Sequence, residues 1–184
     1  KLQDKVFYGE IRSLDPSLSF NANGKISMQE TIPDLELQVN LENIDLQKLG
    51  YTKKKLHLYA NLYGIGRGKN LDEMLGTMNI KDMFIIDRTK DNKMYGFSNI
   101  TIEKDIFEES GNKYLQINTE EINASLVGEY RVSDLTSLLK DYFISYLAIN
   151  KSQVNKRSYE SSYFNLSLEV KNLRNYSLVL HPEL

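Results

Sequence analysis

The 184-residue chain contains no cysteine, which excludes disulfides, thiolate zinc sites and thiol catalysis together. A chain without thiols suits oxidising and reducing surroundings alike, so this absence is silent on compartment. Long apolar runs are also missing: none approaches the roughly 20 residues that cross a bilayer as a helix, and no signal peptide is visible. Nor is there an excess of one charge, since 23 basic and 25 acidic residues leave a net charge of -2 with both signs interspersed. A nucleic-acid binder carries a basic stripe, so that class has no support and no nucleic-acid partner is expected.

Histidine is scarce. His57 and His181 stand without a second histidine or carboxylate at metal-ligand spacing, so both read as surface residues and no metal or cofactor is called for. The carboxylate pairs Glu108-Glu109 and Glu120-Glu121 fall in polar turns, where nothing raises one pKa as acid/base catalysis requires. No serine occupies a nucleophile elbow. Gly64-Ile-Gly-Arg-Gly-Lys69 lacks both the spacing of a phosphate loop and a strand-to-helix setting, so it reads as a strand end that bends. Tyr59 and Tyr63 share the polar side of one strand, where they could stack a sugar or a base, but tyrosine is also an ordinary strand residue. No enzymatic activity is expected.

What the chain has in quantity is alternation. From Asp34 to Leu46, Leu35, Leu37, Val39 and Leu41 alternate with acidic and amide side chains, the mark of a strand apolar on one face and wet on the other. The pattern returns with Leu56, Leu58, Ala60 and Leu62, with Met78 and Ile80, and with Ile100 and Ile102. It returns again with Leu115 and Ile117 and with Ala124 and Leu126. Strands are expected over 5–11, 18–23, 34–46, 55–64, 76–87, 94–103, 114–118, 122–131 and 163–173. Asn23-Gly24 reads as a hairpin tip. Residues 45–50 and 70–76 read as single helical turns ended by Gly50 and Gly76, the second capped by Asn70. Short polar connections imply an antiparallel meander.

One convincing helix is expected, Asp134 to Ala148, with Ser133 as its N-cap. Leu135, Leu138, Leu139, Tyr142, Phe143 and Leu147 recur at three- and four-residue spacing and form one apolar stripe. The fold class is therefore mainly β: an antiparallel meander forming a curved one-sided sheet, a trough or β-taco, with one amphipathic helix on or over its apolar face. That helix is either a structural plug or a movable lid. The alternation itself equally allows a sandwich or partial barrel.

The order of segments, more than any single motif, resembles the repeating unit of AsmA-like envelope proteins, especially TamB-like (translocation and assembly module) members of Bacteroidota. The matching positions are Leu75, Gly76, Met78 and Ile80 for a first strand, Ala124, Leu126, Gly128 and Tyr130 for a later one, and Ser133 through Leu147 for the helix. The resemblance covers 55–149 best. It divides the chain into a first sheet segment (1–54), that unit, and a linker leading into the next unit (150–184). Because the chain opens on Lys1 and reads as strand by Val6, it is expected to be a piece of a longer repetitive protein.

The resemblance implies a periplasmic bridge whose parent is anchored in the inner membrane and whose apolar groove carries phospholipid acyl chains for outer-membrane biogenesis. The apolar positions named above, from Leu35 to Leu126, would then line the groove, with the helix stripe as plug or lid. The alternative is a β-rich scaffold with a self-buried core that docks an outer-membrane assembly protein.

Overall fold

The computed structural model describes residues 2–108, 110–135 and 163–172. These form one antiparallel sheet of strands β1 (Leu2–Gln3), β2 (Val6–Asp15), β3 (Leu18–Ser27), β4 (Asp34–Asp45), β5 (Leu56–Arg67), β6 (Leu75–Asp87), β7 (Lys93–Gly96), β8 (Ile100–Ile106), β9 (Lys113–Asn118), β10 (Ile122–Glu129) and β11 (Tyr163–Val170). Neighbours in sequence are neighbours in space, from β1 through β6, then β8 to β11, with β7 as a branch on β6. The sheet is open, because β1 and β11 do not pair with each other. No helix among the described residues is long and apolar enough to cross a membrane.

The mainly β, antiparallel expectation is met, and several local details differ. Asn23-Gly24 is no hairpin tip: Gly24 lies inside β3, opposite Gly9 on one side and Leu37 on the other. An interior strand satisfies its backbone groups on both edges, which outweighs a local turn preference. β2 and β3 are joined by a turn at Pro16-Ser17, where the Ser17 amide donates to the Asp15 carboxylate at 2.7 Å. Gly64 and Gly66 do not break β5, which runs through both to Arg67.

The single strand expected over 94–103 is two strands. β7 pairs with Phe84–Asp87 of β6, while β8 pairs with Gly76–Ile80. Between these halves β6 is bulged, with Asp82 at a φ of 52°, so one straight strand cannot follow it along its length. β4 is similarly bulged between Leu41 and Ile44.

The turn at 46–50 ends on Gly50 with φ 81°, as a helical C-terminus favours. Asn70 caps the next turn by accepting the Glu73 amide at 3.0 Å. Gly76, however, belongs to β6 and does not end that turn.

Helical structure is described over 132–135. Ser133 is not an N-cap. It lies inside the first turn, and its amide and hydroxyl donate to the Asp72 carboxylate at 3.0 and 3.1 Å. The cap is thus supplied by a loop 61 positions away in sequence. Leu135 is buried against Leu126 and Tyr130. Leu138, Leu139, Tyr142, Phe143 and Leu147 lie outside the described residues, as do Glu109, His181 and the expected strand end beyond 172.

Candidate functional site

The ladder registers gather every groove position expected from the sequence on one face. Directly opposed residues share a face, and one row runs Leu37, Gly64, Met78, Ile102, Ile117 and Ala124. The adjoining row runs Leu35, Gly66, Gly76, Lys104, Leu115 and Leu126. On the other side, Val39, Leu62, Ile80 and Ile100 continue the face. Leu41 opposes Ala60, and Leu58 lies between Ile44 and Ile85. Leu56 completes the alternation along β5.

Burial along this face is uneven. At the end where β5 begins, Ile44, Leu56, Ala60, Ile85 and Tyr95 are each at most 8% exposed. Toward the end of β5, by contrast, Leu35, Leu37, Leu62 and Ile102 are half-buried, and Met78 is exposed. There the face holds an apolar cavity of about 190 Å³.

The cavity has a simple origin. Gly64, Gly66 and Gly76 occupy neighbouring positions of the floor and contribute no side chains, while Leu37, Met78, Ile102 and Leu115 form its sides. Leu71 and Met74, from the turn before β6, and Val132, from the helix start, also line it. The glycines are not equivalent. A Cβ at Gly64 would meet its nearest atom, the Thr77 carbonyl oxygen, at an ordinary 3.7 Å. At Gly76, with φ 150°, it would lie 2.1 Å from the Ile65 carbonyl oxygen, so only glycine lets β5 and β6 approach there. On the other face of the sheet, behind Gly66 and Gly76, lies a wider polar opening of about 530 Å³ lined by Lys25, Asp34, Glu36 and Arg67.

Lys104 is the charged member of this wall. It takes an apolar-face position in β8, opposite Gly76 and Leu115, yet is 8% exposed. Its ammonium donates to the carbonyls of Leu71 and Asp72 at 3.1 and 2.7 Å. Burial lowers its pKa, the nearby Lys113 adds to that, and Asp72 opposes it. The Asp72 carboxylate is held below its usual value chiefly by the Ser133 amide. The turn 70–74 therefore ties the sheet, through Lys104, to the helix start, through Asp72.

The sequence reading missed Lys104 and Asp72. Ile100, Ile102, Lys104 and Ile106 do share parity, so Lys104 was visible as a charge in an apolar register; the Asp72 cap has no local signal. Tyr130 was noted only within a motif. It is 5% exposed, its hydroxyl has no hydrogen-bond partner among the described residues, and burial pushes its pKa up to about 12.

The remaining candidates resolve as structure. His57 is 6% exposed, correcting its expected surface position: it lies on the other face, in hydrogen-bond contact with Asn43 Oδ1 through Nδ1 at 2.7 Å and 3.9 Å from Asp45 through Nε2. Asn43 donates its amide to the Pro16 carbonyl, which leaves its oxygen for a proton on His57 Nδ1. Tyr59 stacks on Phe84 at 4.7 Å, so its ring already has an intramolecular partner. Glu121 accepts the Ser98 hydroxyl, and Glu108 and Glu120 are exposed.

No protein-family model, curated protein or solved structure matches this chain.

Proposed function

We propose that this chain is a segment of a periplasmic bridge-like protein of the AsmA-like kind, holding phospholipid acyl chains in an apolar groove during transport toward the outer membrane. The parent protein would be anchored in the inner membrane, and no catalytic step is required. One observation carries the reading: an apolar face continuous across an open sheet, with a cavity of about 190 Å³ floored by glycine. A methylene leaving water for such a surface gains about 0.8 kcal/mol, so a few methylenes suffice for transient binding. The half-buried state of Leu35, Leu37, Leu62 and Ile102 supports a groove over the alternative scaffold with a wholly self-buried core.

The test is native mass spectrometry of the chain purified from a lysate containing bacterial membranes, followed by lipid extraction. Bound phospholipid is expected, and it should be lost in the Leu37→Asp/Met78→Asp double variant while the far-ultraviolet circular dichroism stays that of a β-sheet. A lipid-free wild-type monomer would overturn the groove and favour a module that docks an outer-membrane assembly protein.

A further inference from the structure

The cavity and Lys104 together say more about the occupant than apolar area does. A lysine is seldom buried without a carboxylate partner, because desolvation penalises the ammonium. Here no carboxylate lies within ion-pair distance of Lys104 among the described residues; its two contacts are the neutral carbonyls of residues 71 and 72. Asp72 is nearby, but its carboxylate is engaged at the helix start by Ser133. An ammonium has three protons, so the two carbonyls leave one donor for another acceptor. Lys113 lies diagonally across the same face, opposite Ile106 and Gly128, and adds positive charge to this end of the groove.

Position completes the case. Lys104 lines the cavity itself, directly opposite Gly76 of its floor. A polar head at Lys104 would therefore stand against the cavity wall, and an attached chain would run over the glycine floor between Leu37, Met78 and Ile102. At roughly 30 Å³ per methylene, about the share of a water molecule, the cavity of about 190 Å³ holds about six methylenes, part of one acyl chain.

We infer that this end of the groove is a site for one single-chain carboxylate amphiphile, a fatty acid whose carboxylate accepts from the Lys104 ammonium while its chain fills the glycine-floored cavity. The inference rests on the groove reading and sharpens it by giving the groove a polarity and a head-group preference.

Equilibrium dialysis with laurate, dodecanol, dodecylammonium and dodecyl phosphate tests it, since these probes share a chain and differ in the head. Laurate should bind at least about tenfold more tightly than dodecanol, the order expected of one charge-assisted hydrogen bond, and dodecylammonium should bind most weakly. Lys104→Met should bring laurate to the level of dodecanol without weakening dodecanol, whereas Lys113→Met should preserve most of the preference. Gly64→Leu, whose Cβ has room, should fill the cavity and weaken laurate and dodecanol alike, with an unchanged unfolding midpoint.

Equal binding of laurate and dodecanol by the wild type overturns the anchor while leaving the groove intact, and needs no variant to fold. A preference that survives Lys104→Met does the same. Dodecyl phosphate binding more tightly than laurate overturns the carboxylate assignment. Binding of none of the probes overturns the anchor and the groove together.

Discussion

Strands β5 and β6 carry two opposite arrangements along one pair. Where β5 begins, Leu56, Leu58 and Ala60 meet Ile44 of β4 and Ile85 of β6, and Tyr95 of β7 extends the row. Most of these side chains are closed off from water. Farther along the same face, β5 presents Gly64 and Gly66 against Met78 and Gly76, and the result is a cavity. Backbone pairing continues across both regions, so the difference comes from side-chain volume on one face of one ladder. Packing energy grows with filled contacts, and the first region is accordingly where stability is concentrated. The second gives up contacts to keep space open.

Substitutions can break that contrast from either side. Ile85→Ala in the filled region should cost about 2–5 kcal/mol, the usual range for removing a buried branched side chain, read as a large drop in the thermal or denaturant midpoint. In the open region the two kinds of glycine should separate. Gly76→Ala places a Cβ against a backbone oxygen at positive φ and should cost about 1–3 kcal/mol, while Gly64→Ala should stay within about 0.5 kcal/mol of wild type. Equal costs for the two would mean that the floor is held open by something other than the close approach at Gly76.

The smallest effect is expected on the opposite face, behind the filled region. Burial lowers the His57 pKa, with Arg88 assisting and Asp45 opposing. The unfolded chain therefore takes up a proton more readily than the folded one, and stability falls as pH drops through the unfolded value of 6.5. Unfolding midpoints compared between about pH 7.5 and about pH 5.5 should show this decline, and His57→Gln should flatten it. Asp45 does not interfere in that window. Its pKa is depressed mainly by the Lys48 amide, so its contribution is lost only as pH falls below 3.8.

The apolar face was legible because β4 and β5 keep strict alternation, and parity along a strand is a local property. Leu35, Leu37, Val39 and Leu41 needed no tertiary information to be placed on one side. Gly64 and Gly66 were misread as a strand break because glycine is locally permissive; only pairing on both sides holds them extended. The same competition keeps Asn23-Gly24 extended inside β3, where a hairpin tip was expected. His57 was misplaced because alternation assigns a face without saying what covers it, and here the β4 bulge sets Asn43 and Asp45 beside the imidazole. Asp72 could not be found as the helix cap, since its partner Ser133 is distant in the chain and meets it only through the fold.

The sequence alone determined that this is a β protein with one apolar face, because period-two alternation follows from the geometry of an extended chain. It also determined the antiparallel meander, because short polar connections permit little else. The tertiary structure decided where that face is filled and where it is empty, and where Lys104 and Asp72 stand relative to the cavity. Those outcomes depend on which residues lie opposite one another across strands and bulges, and that opposition exists only once the ladders have formed.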